Sequence, residues 1–531
     1  MSPENLSWKK MWLMAVLAIS PYFFMVLPEP YYVPGSDECW QLQAAVEMQN
    51  GRGYRSSRDS ELQLSNISDP EYQYMKSWPI GYTAFLLGLM KTGFSIDGAA
   101  KAFNFLFELV GLFGWCYLGS LLLRRTGARL VFAFIVALHS LVWGNYATSL
   151  SSWAVFPFLS LFLFRALGIL PVRHVWVNTL GAAVMGGLLV LFRYQHLSIV
   201  VGVAAFAFIV LVFRRDWRWQ SWAALAFELA VPTIVYLVIA QVNQRNSGSA
   251  TFLGNPLHAP LYAAWLPEFF LAWIFGGSLR LDTLIRGLAS IAHFPRQMAE
   301  FAGGVLAMGA YCLGAIYVWR RRVPAMSGFY MGLWHLCCGF GLLCVFGALL
   351  FRYGMGLHVW SRYYHYMAPA AALAVLAAFD GQGKTFSKLW IRLTCLVCFA
   401  VILGYSVHRR ELVREFYRKA DAAIARVNAI QGNQKGNPAI LVVADHLIGA
   451  FVVREYLPVV VDATFLFSET ARADRDTLVF LLSDKKPLSS QYRALERVGE
   501  AVKKYDFQGE ENSDFDLRWK LFPRGSLKSA L

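Results

Sequence analysis

Charged residues are scarce in this sequence: Asp, Glu, Lys and Arg make up 16% of its 531 residues, while hydrophobic residues make up 57%. Soluble globular domains carry about 25% charged residues. Apolar runs long enough to cross a hydrocarbon core of about 30 Å recur along the chain. The composition excludes an ordinary soluble protein and predicts a polytopic α-helical membrane protein.

Acidic residues are the scarcer charge type, with 34 Asp and Glu against 49 Lys and Arg and a net charge of +15. A basic chain can bind nucleic acid, but here the Lys and Arg fall in short clusters between apolar runs. This distribution is typical of the cytoplasmic loops of membrane proteins. We therefore predict no nucleic-acid partner, and membrane lipids around the chain.

Cysteine is rare as well, and all eight cysteines except Cys39 lie inside apolar runs. Cys395 and Cys398 have CxxC spacing, but they lie in a predicted membrane helix, where a small apolar side chain is a better interpretation than a metal or redox pair. The chain shows no disulfide framework and no internal repeat. Secondary transporters usually contain internal repeats, so this absence disfavours a transporter.

The positive-inside rule orients the chain. Lys9 and Lys10 precede the first apolar run, which ends in Pro-Glu-Pro rather than a signal-peptide cleavage site, so we predict a retained helix with a cytoplasmic N-terminus. The stretch 78–93 is short and broken by Pro79, and we predict that it enters the membrane without crossing it. Only then do the later basic clusters face the cytoplasm.

This choice predicts about eleven transmembrane helices. Their ranges are 11–27, 101–123, 130–148, 153–170, 175–192, 197–213, 221–241, 301–319, 327–350, 363–379 and 390–406. The stretch 262–301 has an apolar half and an amphipathic half, and we predict juxtamembrane helices on the outer surface there.

The composition changes at the C-terminal end. We predict a transmembrane domain over 1–408, with an outer loop at 28–78, and a small soluble α/β domain over 409–531 on the outer side. An amphipathic helix over 409–430 leads into it. Its predicted strands are AILVVAD, EYLPVVVDA, DTLVFLLSD and DLRWKLFPR, with a helix at SSQYRALERVGEAVKKY.

The outer loop carries two adjacent acids, Asp37 and Glu38. A carboxylate held at the membrane surface can take a proton from an incoming hydroxyl, as a general base does. The alternative is structural, because Asp37 precedes an amphipathic segment and Ser or Asp often caps a helix there. The surrounding motifs favour the catalytic interpretation.

Four motifs follow one another in this chain: SDECWQLQAAVEMQNGRGY, KSWPIGYTAFLLGLMKTGFS, LVLFRYQHLSIV and SRYYHYMAPAAALAVLAA. Together they resemble the GT-C glycosyltransferases of the bacterial protein-mannosyltransferase and lipid A aminoarabinose-transferase type, over roughly residues 11–406. The resemblance implies the GT-C fold and a polyprenyl-phosphate sugar as the donor. The second motif has one proline, Pro79, where the family has two, and Lys76 stands three positions before it.

The resemblance also implies roles for individual residues. Asp37 is the expected general base and Glu38 its catalytic support. Four residues are expected to bind the donor phosphate: Arg362, Tyr363, Lys76 and Arg193. Arginine suits this task because its planar fork holds two phosphate oxygens, although each arginine has a structural alternative as an interfacial side chain. Three further residues are expected to line the cavity: His358, His365 and Asn145.

No cofactor is expected to be required. Many relatives have an acid at the outer end of the third helix, whereas this chain reads WGNYATSLSSW there. His358 and His365 have no carboxylate between them, so polar lining is favoured over a metal site. A divalent metal is possible in this family but is not favoured here.

The predicted function is therefore inverting transfer of a sugar to an acceptor hydroxyl on a protein, lipid or polysaccharide. The predicted location is the bacterial inner membrane, multi-pass, with the N-terminus cytoplasmic and the C-terminal domain periplasmic. Two alternatives stay open: a transporter or flippase of lipid-linked saccharides, and a membrane scaffold or sensor whose tail binds a partner.

Overall fold

The computed structural model describes most of the chain. The described residues are 6–29, 36–56, 67–68, 72–76, 78–143, 147–172, 174–248, 309, 313, 326–353, 365–381, 387–434, 436–444, 448–454, 459–462, 473–484, 506–511 and 515–525. Their contacts divide into two compact units. Unit 1 comprises Met1–Phe24 and Asn104–Ser406, and unit 2 comprises Met25–Phe103 and Val407–Leu531.

The described helices are α1 Trp8–Val26, α2 Ser36–Gln49, α3 Gly81–Lys91, α4 Ile96–Leu122, α5 Thr126–Trp143, α6 Ala147–Ala166, α7 Val175–Phe192, α8 Leu197–Phe213, α9 Trp219–Ser247, α10 Met326–Tyr353, α11 Ala368–Gly381, α12 Lys388–Gly432 and α13 Ile448–Val453. The described strands are β1 Arg55–Ser56, β2 Gln73–Tyr74, β3 Ala439–Ala444, β4 Val459–Asp462, β5 Thr477–Asp484, β6 Gln508–Glu511 and β7 Phe515–Phe522.

The predicted membrane helices are present wherever the structure describes the chain. Six described helices are long and apolar enough to cross a membrane, namely α1, α4, α7, α9, α10 and α12, and α5, α6, α8 and α11 are shorter apolar helices. Each corresponds to one predicted span. The eleventh, 301–319, and the juxtamembrane stretch 262–301 lie outside the described residues apart from two isolated positions.

Helix α3 covers most of the stretch that we predicted not to cross the membrane. It has 11 residues, so it is about 16 Å long at about 1.5 Å per residue. A hydrocarbon core is about 30 Å thick. The length of α3 agrees with that prediction.

One predicted division of the chain is wrong. The sequence predicts separate helices over 390–406 and 409–430, but α12 is a single helix of 45 residues. The connecting residues Val407 and His408 include no proline or glycine, and they are followed by Arg409 and Arg410, which are good helix formers. Composition changes at this point while the backbone hydrogen bonding continues, which is why the polarity shift does not mark a helix end.

Close helix packing defines unit 1. A Cβ added at Gly341 of α10 would overlap the carbonyl oxygen of Ser198 on α8, and one added at Gly202 of α8 would lie 3.0 Å from the Cα of Cys338. Small residues let membrane helices approach this closely. Beside this contact, the ring of Trp334 stacks on Phe156 at 5.7 Å, and its indole donates to Ser160 Oγ at 2.9 Å.

Unit 2 contains a five-stranded sheet with the order β4-β3-β5-β7-β6. Strand β3 pairs in parallel with both β4 and β5, and β7 pairs antiparallel with β5 and β6. The four predicted strands correspond to β3, β4, β5 and β7, which confirms the small sheet predicted at the C-terminal end. Strand β6 was missed because QGEE has no apolar alternation. The predicted helix over 489–505 lies outside the described residues.

Candidate functional site

The proposed catalytic acids lie in the first turn of α2. The backbone of Asp37 is helical, and its side chain lies outside the described part of the structure. Glu38 is 1% exposed, so its carboxylate faces the protein interior rather than water. The side chains that follow it, from Cys39 to Ala45, are buried as well. A helix with so many buried polar residues is not a simple interfacial anchor.

A small hydrophobic core holds α2 against the residues that follow it. Trp40 and Ala44 of α2 pack with Tyr54 and Met75. The Tyr54 hydroxyl lies 3.0 Å from the carbonyl oxygen of Trp78 and can donate to it. Helix α3 adds a further contact, because Thr83 Oγ1 donates to the carbonyl oxygen of Gln41 at 3.3 Å.

The GRGY turn closes this core. Gly51 and Gly53 have φ angles of 76° and 85°, a left-handed conformation that glycine adopts without steric cost. Between them, Arg52 donates two hydrogen bonds of 2.6 Å to the carboxylate of Glu47. The predicted turn is therefore present, and Arg52 in this turn forms an ion pair with Glu47 of the preceding helix α2.

Lys76 belongs to the same compact unit as Asp37. It comes two residues after β2, next to the core residue Met75, and its backbone N–H donates to the carbonyl oxygen of Tyr74 at 3.1 Å. Its side chain is half-buried. Lys76 therefore directly follows a residue, Met75, that packs against Trp40 and Ala44 of α2.

Arg193 lies in unit 1, on the short connection between α7 and α8. It is 1% exposed, and it follows the last residue of α7 in an extended conformation. Buried arginines require charge or hydrogen-bond partners. Its burial argues against the alternative of a snorkelling interfacial arginine, whose guanidinium would reach water.

His196 lies three residues after Arg193 and was not predicted as a site residue. It is fully buried. Its Nδ1 lies 2.7 Å from the carbonyl oxygen of Leu189, so Nδ1 carries the proton and donates it. Burial, with a smaller contribution from Arg193, lowers the pKa of His196 to about 3, so the imidazole is neutral.

Tyr366 joins Arg193 and His196. Its ring packs edge-on against the His196 ring, with centroids 5.3 Å apart, and it is fully buried. It lies in a 3-10 turn that spans His365–Met367. The polar cluster of unit 1 therefore consists of Arg193, His196 and Tyr366, in a wall of aromatic rings that includes Phe156.

Several predicted residues lie outside the described part of the structure. They are Arg362, Tyr363, His358 and Asn145, and for His365 only the backbone is described. Arg362 precedes Tyr366 by four residues in the sequence.

Sequence reasoning also missed two buried acids in membrane helices. Glu108 of α4 and Glu228 of α9 are each 4% exposed. Neither carboxylate oxygen of Glu228 has a hydrogen-bond partner among the described residues. Each acid stands within an apolar run, and an acid in such a run is a signal that sequence analysis can detect. No group of three His, Cys, Asp or Glu side chains suited to a metal occurs in the described residues.

No protein-family model matches the chain, and no curated protein matches it. The solved structure of ArnT from Cupriavidus metallidurans in the apo state is 12% identical and has a TM-score of 0.56, with 96% of this chain and 97% of that chain covered. ArnT from the same organism bound to undecaprenyl phosphate is 13% identical, with the same coverage and a TM-score of 0.46.

A third solved structure is the archaeal oligosaccharyltransferase AglB from Archaeoglobus fulgidus, in complex with an inhibitory peptide and a dolichol-phosphate. It is 13% identical, covers 98% of this chain and 77% of that chain, and has a TM-score of 0.47. The match to apo ArnT extends over nearly the full length of both chains. The chain therefore has the GT-C membrane fold that the sequence predicts.

Proposed function

We propose that this chain of GT-C fold is an integral-membrane glycosyltransferase that moves a sugar from a polyprenyl-phosphate donor to an acceptor hydroxyl on the outer side of the membrane. Asp37 is the general base in this proposal, and the transfer inverts the anomeric configuration. The observation that carries it is the combination of a full-length match to the ArnT fold with an Asp-Glu pair in the first turn of a buried helix just after the first span.

The chemistry accounts for the position of the acids. An inverting displacement needs one base on the face opposite the leaving phosphate, and it forms no covalent enzyme intermediate. Asp37 takes the proton of the acceptor hydroxyl as the oxygen attacks the anomeric carbon, and the phosphate leaves with the electron pair of the broken bond. Burial of Glu38 supports a role beside Asp37 rather than at the protein surface.

The leaving phosphate needs positive charge. Negative charge grows on it as the glycosidic bond breaks, and fixed cations in a site that excludes water stabilise such charge strongly. Arg193 is supported as one of these cations because it is buried at the end of α7. The sequence resemblance proposes Arg362, Tyr363 and Lys76 for the same task.

Transfer by the purified protein tests this proposal. We expect sugar transfer from radiolabelled undecaprenyl-phosphate sugars by the wild type, and loss of at least about 100-fold in rate for Asp37→Asn, since a positioned base contributes about 10²–10⁴-fold. Donor binding should persist in the variant. Asp97→Asn is the matched control, because Asp97 also lies in the first turn of a helix but pairs with Lys101 at 2.7 Å, and it should retain the wild-type rate.

Two outcomes contradict the proposal. If the wild type neither binds nor consumes a polyprenyl-phosphate sugar, the glycosyltransferase assignment is wrong, and a membrane scaffold or sensor becomes the better interpretation. If Asp37→Asn transfers the sugar at the wild-type rate, the assignment of the base is wrong while the transferase assignment stands.

A further inference from the structure

The segment that carries Asp37 is fastened to the C-terminal part of the chain within unit 2. The first attachment is at Ser68, between β1 and β2. Its hydroxyl lies 2.7 Å from Thr477 Oγ1, although the two residues are 409 positions apart in the sequence. Ser68 is 4% exposed and Thr477 is fully buried, so water does not compete for this contact.

Arg475 strengthens the attachment at Ser68. Its backbone N–H donates to Ser68 Oγ at 3.2 Å, and its guanidinium Nη2 donates to the Ser68 carbonyl oxygen at 3.2 Å. Ser68 thus meets the chain immediately before β5 through both its backbone and its side chain. Ser68 ends an Asn-Ile-Ser sequence, and its burial with Ile67 gives this stretch a structural role.

The second attachment is at α2 itself. Helix α13 packs against α2 and is followed directly by Arg454. The guanidinium of Arg454 donates two hydrogen bonds, of 2.8 and 2.7 Å, to the carboxylate of Asp421 on α12. It also lies over the ring of Tyr417, 5.1 Å from its centroid. Arg454, at the end of α13, therefore binds α12 through Asp421, while α13 itself packs against α2.

A third attachment lies before α2. Glu29 follows the end of α1, and one of its carboxylate oxygens accepts hydrogen bonds from Arg410 at 3.0 Å and Arg414 at 2.7 Å. Both arginines are on α12. The segment 25–103 is thus held by residues of 407–531 before α2, at α2 and after β1.

We propose that the C-terminal part of the chain positions the catalytic helix α2, with Asp421 and Arg454 holding α13 against it and Ser68 fixing the adjoining hairpin to β5. This inference rests on the proposed function, because it gives Asp37 the role of base. Asp421, Arg454 and Ser68 are positioning residues, since they act through α2 rather than on the reacting atoms.

A physical reason connects these contacts to turnover. A displacement of about 1 Å in a reacting group lowers the rate by about 10²-fold, whereas the proposed donor binding is shared between Lys76 and residues of unit 1 such as Arg193. An isolated exposed ion pair contributes about 1 kcal/mol or less, but the Arg454–Asp421 pair is bidentate and stacked on a buried tyrosine. Loosening it is therefore expected to affect the placement of Asp37 more than the stability of the whole protein.

The test combines amide hydrogen exchange with kinetics in the full-length protein. Asp421→Asn and Ser68→Ala, singly and together, should speed exchange in peptides that cover residues 36–49, since local contacts set local opening. The double variant should lose about tenfold in kcat, by the same displacement argument, while its KM for the donor and its affinity for undecaprenyl phosphate stay within about twofold. A protein with Asp421→Glu, which keeps the carboxylate, should have a kcat closer to the wild-type value than a protein with Asp421→Asn.

Asp216→Asn is the matched control. Asp216 holds Arg218 through two hydrogen bonds of 2.9 Å, as Asp421 holds Arg454, but this pair lies on the connection between α8 and α9 in unit 1. In Asp216→Asn, the rate of amide hydrogen exchange in residues 36–49 and the kcat should both equal those of the wild type.

Each outcome decides the proposal. Unchanged exchange in 36–49, or faster exchange with unchanged kcat, overturns the positioning role and leaves the proposed function intact. A donor KM or a Kd for undecaprenyl phosphate that rises in step with the loss of rate also overturns it, because the contacts then serve binding. Failure of the wild type to bind any polyprenyl phosphate shows instead that the proposed function is wrong, and the positioning of a base falls with it.

Discussion

At the scale of single residues, Arg193 and His196 are both buried just after the end of α7, and burial sets the chemistry of each. The motif around Arg193 predicts a cation at the end of a membrane helix, and the structure places Arg193 there, almost completely buried. The neutral tautomer of His196 depends on the carbonyl of Leu189 in the last turn of α7, seven residues earlier, and its ring packs on Tyr366, which comes 170 positions later in the chain. Contacts of that kind depend on tertiary packing, which no local pattern encodes.

Glu228 provides a prediction at this scale. Both carboxylate oxygens lack a hydrogen-bond partner among the described residues, and a buried unsatisfied polar group costs about 1–3 kcal/mol. We expect Glu228→Leu, which has a similar volume, to raise the melting temperature of the detergent-solubilised protein. Glu228→Gln should gain less, because the amide stays polar, and both variants should transfer sugar at the wild-type rate.

The same variants separate the transferase from the flippase alternative. A carrier that relies on an ionisable group within the membrane loses activity when that group becomes neutral. If Glu228→Gln lost its activity towards polyprenyl-phosphate sugars while its melting temperature stayed unchanged, the result would therefore favour the flippase. A lower melting temperature for Glu228→Leu would show that Glu228 has a stabilising partner.

At the scale of helices and strands, periodicity and length predicted most elements. Ten of the predicted spans coincide with described helices, because apolar runs of this length have few other stable conformations in a bilayer. The errors occur where tertiary context prevails over local composition. Helix α12 continues through a change of polarity, β6 has no apolar pattern, and the short hairpin of β1 and β2 depends on the core around Trp40.

The contact between α8 and α10 gives the prediction at the element scale. A Cβ at Gly341 would overlap the backbone of α8, and backbone atoms cannot rotate away as a side chain can. We expect Gly341→Ala to destabilise the protein by about 1–3 kcal/mol, as overpacked cores do, measured as a lower melting temperature. In Gly404→Ala, where a Cβ on α12 would meet nothing within 4 Å, stability should stay the same or rise by up to about 1 kcal/mol. Equal effects of the two substitutions would contradict the close approach of α8 and α10.

At the scale of the whole molecule, the order of four weak motifs identified the GT-C fold, although the solved ArnT structure shares only 12% identity. Membrane folds tolerate such divergence because most lipid-facing and core positions require only apolar character. The association of the segment 25–103 with 407–531 in one compact unit was not predicted. It depends on contacts such as Ser68 with Thr477, which join residues that are distant in sequence.

Metal dependence belongs to the proposed transferase as a whole, and the sequence predicts that transfer needs no divalent metal. The outer end of the third predicted span reads WGNYATSLSSW, which contains no acid to share a divalent ion with the Asp37 region. Without that ion, arginine and lysine side chains must neutralise the leaving phosphate, and they do so at any metal concentration. We therefore expect chelation by EDTA to leave sugar transfer within about twofold of the untreated rate, and added Mg²⁺ or Mn²⁺ to leave it there. Lys76 is only half-buried, so screening of its charge by salt should lower the rate more than chelation does. Abolition of transfer by EDTA with recovery on adding one divalent ion would contradict this prediction and assign the carboxylates of α2 a metal-binding role.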